Sequence, residues 1–118
     1  MKYILILLLL HWFADFVLQT KWQARNKSFN SAALLSHVFT YSFILAIGLT
    51  PFVLDIWKVL AIAGLNGGLH GIIDAVTSRL SAKLYNKEDL HDFFVIIGFD
   101  QFLHVAILIS SFYYILML

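Results

Sequence analysis

The feature that most constrains this chain is the length and spacing of its apolar runs. Four of them, at roughly 3–19, 32–50, 56–79 and 93–117, are separated only by short polar stretches. A helix of about 20 residues crosses the hydrocarbon core of a bilayer, and each run approaches that length, the first being the shortest. In lipid the backbone must satisfy its own hydrogen bonds, so each run reads as a helix. Composition points the same way. Of the 118 residues, 61% are hydrophobic and 13% charged, against about a quarter charged in an ordinary soluble domain. One small core could not hide that much apolar surface from water. The expected fold is all-α: a single transmembrane domain over 1–118, an integral membrane four-helix bundle running up, down, up and down with short loops. Met1-Lys2 and Tyr3 to Leu10 look like the start of a signal peptide, but no A-x-A-like site follows. The apolar run continues through Leu18, so a retained first helix is expected.

The connectors suggest an orientation. Lys21, Arg25 and Lys27 lie in the first, and Arg79, Lys83 and Lys87 lie around the third. The opposite side has only Lys2 and Lys58. The positive-inside rule then makes loops 20–31 and 80–92 cytoplasmic, with both termini outside an inner (cytoplasmic) membrane. Trp22 and Trp57 fall near opposite interfaces, and Glu88, Asp89, His91 and Asp92 read as a solvated acidic edge. A net charge of +1 leaves no electrostatic footprint for nucleic acid. The absence of cysteine excludes disulfides and thiolate metal sites. Gly64/Gly68 and Gly67/Gly71 are each four apart, a spacing that lets helices approach closely within the bundle or between copies through a Gly64/Gly68/Gly71 face.

Seven ionisable residues interrupt the apolar background: His11, Asp15, His37, His70, Asp74, Asp100 and His104. An Asp at the centre of a membrane helix costs roughly 2.5–3.5 kcal/mol on insertion scales, so chance is a poor explanation for the set. His11/Asp15, His70/Asp74 and Asp100/His104 are each four apart and share a helix face. His11-Asp15-Gln19 and Asn66-His70-Asp74-Ser78 extend those faces into polar stripes. The first and third runs read His then Asp, and the fourth, running the other way, reads Asp then His. Reversal of direction cancels reversal of order. The aspartates should form a layer nearer the cytoplasm, level with His37, with the other histidines about 6 Å deeper.

Imidazoles and carboxylates in this number suit a divalent transition metal, with zinc the first choice and manganese or iron the alternatives. Two such ions, three aspartates and a bridging hydroxide sum to zero charge, which a low-dielectric site demands. All seven residues are candidate ligands. Asp15, Asp74 and Asp100 are also candidate bridges or the catalytic base, and Gln19, Asn66 and Gln101 candidate hydrogen-bond partners of the ligands. A metal-free proton network or relay is the competing chemistry. At the cytoplasmic mouth, Gln19, Lys21, Arg25, Asn26 and Lys27 either flank the membrane in the ordinary way or form an anion-binding rim for a phosphate or lipid headgroup.

His11-x3-Asp15-Phe16-x2-Gln19, Lys27, His37, Tyr41, His70-x3-Asp74 and Asp100-Gln101-x2-His104 together resemble a family of small bacterial and phage membrane proteins of unknown function. The resemblance covers nearly the whole chain and implies no activity. It also leads one to expect a lysine three residues after the third-helix aspartate, where this chain has Thr77. A more distant similarity, to inner-membrane metal-dependent hydrolases, lacks their His-Arg-x2-Thr-His-like signature.

The residues lead to the expectation of a metal-dependent hydrolase acting on a lipid-linked or amphipathic substrate at the cytoplasmic leaflet, with a metal-bound water as nucleophile. The alternatives are a metal-ion or proton transporter and a membrane interaction protein whose polar core is structural. The stretches Tyr3 to Leu10, Phe43 to Leu49 and Val105 to Ile109 are mostly apolar, which favours a site open to one side only.

Overall fold

The computed structural model describes residues 2–118. It is all-helical, with no strand among the described residues. Helix α1 spans Ile4–Trp12 and continues as a π-helical turn, Phe13–Val17. A short α2 covers Lys21–Asn26, and three long helices follow: α3 (Ser31–Leu49), α4 (Ile56–Asn86) and α5 (Leu90–Met117).

Each start has a local chemical cause. The Thr20 side chain accepts from Gln23 N while the Gln23 side chain accepts from Thr20 N, a reciprocal cap that opens α2. Asn30, Asp55 and Asp89 accept the first free backbone N–H groups of α3, α4 and α5. Pro51 follows the end of α3 and cannot continue it.

Two expectations from the sequence need correction. The first apolar helix was drawn to residue 19 but ends at Val17, because the chain must turn to make Thr20 the cap of α2; the first connector therefore contains a helix. The third and fourth helices were drawn at 56–79 and 93–117, yet α4 runs on to Asn86 and α5 begins at Leu90. Hydropathy marks where lipid would end. Ala82, Lys83 and Leu84 are good helix formers and carry α4 further. Most of the loop expected at 80–92 is thus helical, and the turn is confined to 87–89, with Glu88 in the left-handed region at φ 60.

Consecutive long helices run antiparallel. Leu10 meets Gly48 while Asp15 meets His37, Ser42 meets Gly67 while Val38 meets Gly71, and Asn66 meets Ser111 while Thr77 meets Asp100. The buried stripes recur every four residues, most plainly Ala33-His37-Tyr41-Leu45-Leu49 on α3. Every stripe is polar towards one end and apolar towards the other. Asp15 and His11 give way to Leu7, Asp74 and His70 to Ile62 and Val59, and Asp100 and His104 to Leu108 and Phe112. The apolar half is a dry plug; Leu7, Leu45, Val59, Ile62, Leu108 and Phe112 are fully buried.

Outside, large apolar side chains such as Leu5, Leu35, Phe39, Ile72 and Phe102 are exposed all round the bundle. α3, α4 and α5 are long and apolar enough to cross a membrane. Ile4–Val17 is shorter, about 21 Å against a hydrocarbon core of about 30 Å. The glycines of α4 divide between faces. A side chain at Gly67 or Gly71 would collide with α3, whereas Gly64 and Gly68 face open space. Gly71 therefore belongs to internal packing and not to one outer face with Gly64 and Gly68.

Candidate metal centre

α1 with its π-turn, α3, α4 and α5 bring all seven candidates into one connected cluster at the polar end of the interior. The π-turn positions Asp15. Leu18 N bonds Phe13 O at 3.0 Å, five residues back, and the extra residue in the turn buries Ala14 and Asp15 together. Such turns are frequent at functional sites.

Four atoms converge most tightly. His37 Nε2 lies 3.0 Å from Asp15 Oδ1 and 3.3 Å from Asp74 Oδ2. His70 Nε2 lies 3.3 Å from Asp15 Oδ1 and 3.5 Å from Asp74 Oδ2. The two Nε2 atoms are 3.0 Å apart. Ligands about 2.0–2.1 Å from a tetrahedral zinc lie about 3.3–3.4 Å from one another; three of these five edges, at 3.3–3.5 Å, come close to that spacing and two, at 3.0 Å, are shorter.

Protons alone satisfy this arrangement badly. If both Nε2 atoms carry hydrogen, two N–H groups face each other at 3.0 Å. If one does not, its lone pair faces carboxylate oxygens. A central cation removes the conflict. The His70 ring is held by stacking, between Tyr41 (centroids 4.1 Å) and His104 (4.0 Å). Metal-bound imidazoles usually donate their second N–H to a fixed acceptor. Here the Nδ1 atoms of His37 and His70 have no partner among the described residues, so packing does the orienting.

A second group of possible ligands adjoins the first. Asp74, Asp100 and His104 bring three ligand atoms within 4.8 Å of one another, as do His11, Asp15 and His104. Asp74 turns Oδ2 to the first group and Oδ1 towards His104 Nε2, at 3.8 Å. Asp15 likewise presents Oδ1 to the first group and Oδ2 to His11 Nε2, at 3.8 Å. Both carboxylates are placed to bridge. His104 is buried with neither ring nitrogen hydrogen-bonded.

His11 differs from the other histidines, because both of its nitrogens are engaged. Nδ1 pairs with the Tyr41 hydroxyl at 3.0 Å and Nε2 with Gln101 Oε1 at 2.9 Å. Gln101 Nε2 in turn donates to Asp15 Oδ2 at 3.1 Å and Asp100 Oδ2 at 3.0 Å. Gln101 thus joins three of the candidates. Asn66 does not touch the cluster; it donates to Ile62 O and Ser111 Oγ, clamping α4 to α5 on the apolar side. Gln19 lies beyond the π-turn, in the wall of a cleft.

Three further contributors stand outside the residue set drawn from spacing. Lys27 Nζ donates to Asp74 Oδ2 at 2.8 Å, reaching in from the loop after α2. Tyr41 holds His11 and covers His70. Thr77, at the position where a lysine was expected, donates to Asp100 Oδ1. Tyr41 and Thr77 carry a periodic signal, four after His37 and three after Asp74. Lys27 has none, because nothing in a loop sequence tells an inward lysine from a flanking one. The expected depth difference of about 6 Å between the aspartates and the deeper histidines is not kept at the donor atom of His70, whose Nε2 reaches Asp15 and Asp74 directly, while His37, expected level with the aspartates, meets them there.

Through Asp15 and Asp100 the cluster reaches a cleft of ≈ 490 Å³, which His11, His37, His70, Asp74 and His104 do not line. Asp15, Gln101 and Asp100 line its base, Arg25, Lys27 and Ser78 its sides, and Tyr85, Asn86 and Phe93 its outer part. It opens at the end that carries the basic residues.

The chain belongs to the family described as "Protein of unknown function (DUF3307)", whose model matches residues 3–118. No curated protein and no solved structure matches it.

Proposed function

We propose that the protein is a metal-dependent hydrolase with its centre inside the membrane, acting on an amphipathic substrate that enters from the cytoplasmic leaflet. The observation that carries this reading is the close set of Asp15, His37, His70 and Asp74 donors, buried beside an open cleft that Asp15 itself lines. The four long elements form an up-down-up-down transmembrane bundle in the inner membrane, with both termini outside and the cleft facing the cytoplasm. Zinc fits the first group best, and manganese or iron remain alternatives. Asp74, Asp100 and His104 supply a second position, with Asp15 and Asp74 as bridges. His11 serves by hydrogen bonding, as the holder of Gln101.

A bound divalent ion would lower the pKa of a coordinated water towards about 7. Asp100, lining the cleft with its two oxygens on Thr77 and Gln101, would serve either as a ligand of the second position or, where that position is not filled, as the acceptor of that water's proton. The same carboxylate would hold that proton and return it to the leaving oxygen as the ester is hydrolysed. Transport of an ion or proton needs a path to both faces, and the dry plug beyond His11, His70 and His104 argues against one. The outward Gly64 and Gly68 are the surface through which two copies would pair.

Detergent-purified protein should carry roughly one to two equivalents of a transition metal. It should hydrolyse p-nitrophenyl phosphate or a p-nitrophenyl acyl ester, with activity lost to a chelator and restored by metal. Chain that holds no metal after loading with zinc, manganese and iron in turn would overturn the reading.

A further inference from the structure

The cleft wall beside the cluster has a chemistry that the metal ligands do not use. Lys27 lines both the main cleft and a smaller niche of ≈ 50 Å³ between α4 and α5 that reaches Asp74 and Asp100. Its ammonium rests on Asp74 Oδ2, the same oxygen that faces His37 and His70. Arg25 lines the cleft with its side exposed. Ser78 lines both spaces, and its Oγ is buried with no hydrogen-bond partner among the described residues. Gln19 Oε1, in the same wall, is also buried and unpartnered. Buried polar groups are nearly always hydrogen-bonded, so two unpartnered ones facing one cleft suggest a ligand that carries polar atoms.

We infer that this wall is a phosphate-binding subsite, and that the substrate presents a phosphate monoester to the centre. Lys27 and Arg25 supply two cations, Ser78 a hydroxyl donor, and the Gln19 amide, which can turn end for end, an N–H donor. A phosphoryl group held there would accept charge-assisted hydrogen bonds from the Lys27 ammonium and the Arg25 guanidinium. Asp15 and Asp100 also line the cleft and would repel the anion in metal-free chain. The subsite therefore becomes attractive only when cations neutralise those carboxylates, and metal and phosphate should strengthen each other's binding. Phe16, Phe93 and Ile97 make the same cleft apolar on its other side. That is where the acyl part of a phosphate-bearing lipid would lie, although a free phosphate shares the recognised chemistry. The inference deepens the hydrolase reading by naming its substrate class.

Titration of zinc-loaded full-length protein with inorganic phosphate, and separately with micellar phosphatidate against a phosphatidylcholine control, tests this. Metal content is measured on every sample. Both phosphate probes should bind, and Lys27→Gln should weaken them about tenfold, the loss of one charge-assisted contact. Arg25→Gln and Ser78→Ala, which leave the metal donors alone, should each weaken binding about threefold and keep the metal. Tighter binding of phosphatidate than of phosphate assigns the subsite to a lipid; equal binding assigns it to a soluble phosphate. Should Lys27→Gln lose metal or fold, the other two variants carry the test. Metal-loaded protein that binds neither probe, or binds both unchanged in Arg25→Gln and Ser78→Ala, overturns the subsite. Failure of the metal reading is seen separately in the metal analysis. Metal-free chain should bind both probes more weakly than zinc-loaded chain, because Asp15 and Asp100 are then uncompensated; equal or tighter binding without metal would overturn the coupling of metal and phosphate.

Discussion

Removing the metal should destabilise the protein far more than removing any single contact. Asp15, Asp74 and Asp100 are 3%, 1% and 8% exposed, and the one ammonium that reaches them is that of Lys27. With neutral histidines, three carboxylates against one ammonium leave two negative charges uncompensated. An aspartate at the centre of a membrane helix costs about 2.5–3.5 kcal/mol on insertion scales, so the chelated site carries a penalty of about 5–7 kcal/mol. That is a large share of the roughly 5–15 kcal/mol by which folded proteins exceed their unfolded states. For a chain of this size, about 4 °C of melting temperature goes with each kcal/mol, so chelation should lower the midpoint by about 20 °C. Tryptophan fluorescence of the detergent-solubilised protein during heating, before chelation, after it, and after return of metal, reads the effect directly. Asp15→Asn and Asp100→Asn each remove a carboxylate that no ammonium compensates, so in chelator they should melt above wild type, and with metal present below it. The reasoning is refuted if chelated wild type melts within about 2 °C of the loaded protein. It is also refuted if Asp15→Asn, Asp74→Asn and Asp100→Asn all keep their metal and gain stability, as a merely structural polar core would allow.

Three more outcomes follow from the geometry. His37→Ala and His70→Ala should each abolish metal binding, whereas His11→Gln should retain the metal and lose activity about tenfold through a displaced Gln101; metal analysis beside a hydrolysis assay separates the two. Gly67→Leu should drive α4 from α3 and cost about 1–3 kcal/mol, while Gly64→Leu should leave melting unchanged and weaken any dimer seen in sedimentation. Reporter fusions at the C-terminus should register an external location, and a cytoplasmic signal there would reverse the proposed orientation of the cleft.

The sequence made legible what periodicity and cost can reveal. Residues such as His70 and Asp74 are too expensive in an apolar helix to be incidental, and their four-residue spacing put them on one face before any coordinates. The reversed order in Asp100 and His104 foretold that α5 would meet the other helices in register. Three things were hidden. The π-turn at Phe13–Val17 has no composition of its own, so Asp15 and Gln19, drawn on one stripe, part company. Lys27 acts across 47 positions of sequence to reach Asp74, and no local pattern encodes such a contact. About the last two turns of α4 obey helix propensity and not hydropathy, so a span defined by apolar content stops short of Asn86.

The shortness of the first helix, which looks like a defect in a spanning bundle, accounts for the one-sided site. α4 is about 46 Å long at the helical rise, while Ile4–Val17 reaches less than half as far. Above Asp15 the wall that a full first helix would have supplied is missing, and the chain turns away into α2 instead. The space left between α2 and the α4–α5 hairpin is the cleft, and the last buried residue of the short helix is the carboxylate at its floor. At the other end all four elements are present, and their inward residues are Leu7, Leu49, Val59 and Phe112, which close the interior completely. A polar centre with water on one side and a packed apolar plug on the other can exchange substrate and product through a single mouth. It can hold an ion between four donors, but it cannot pass that ion on without opening the plug, and the plug contains no ionisable residue that would solvate it in transit. The same four helices thus favour chemistry performed in place over movement across the membrane.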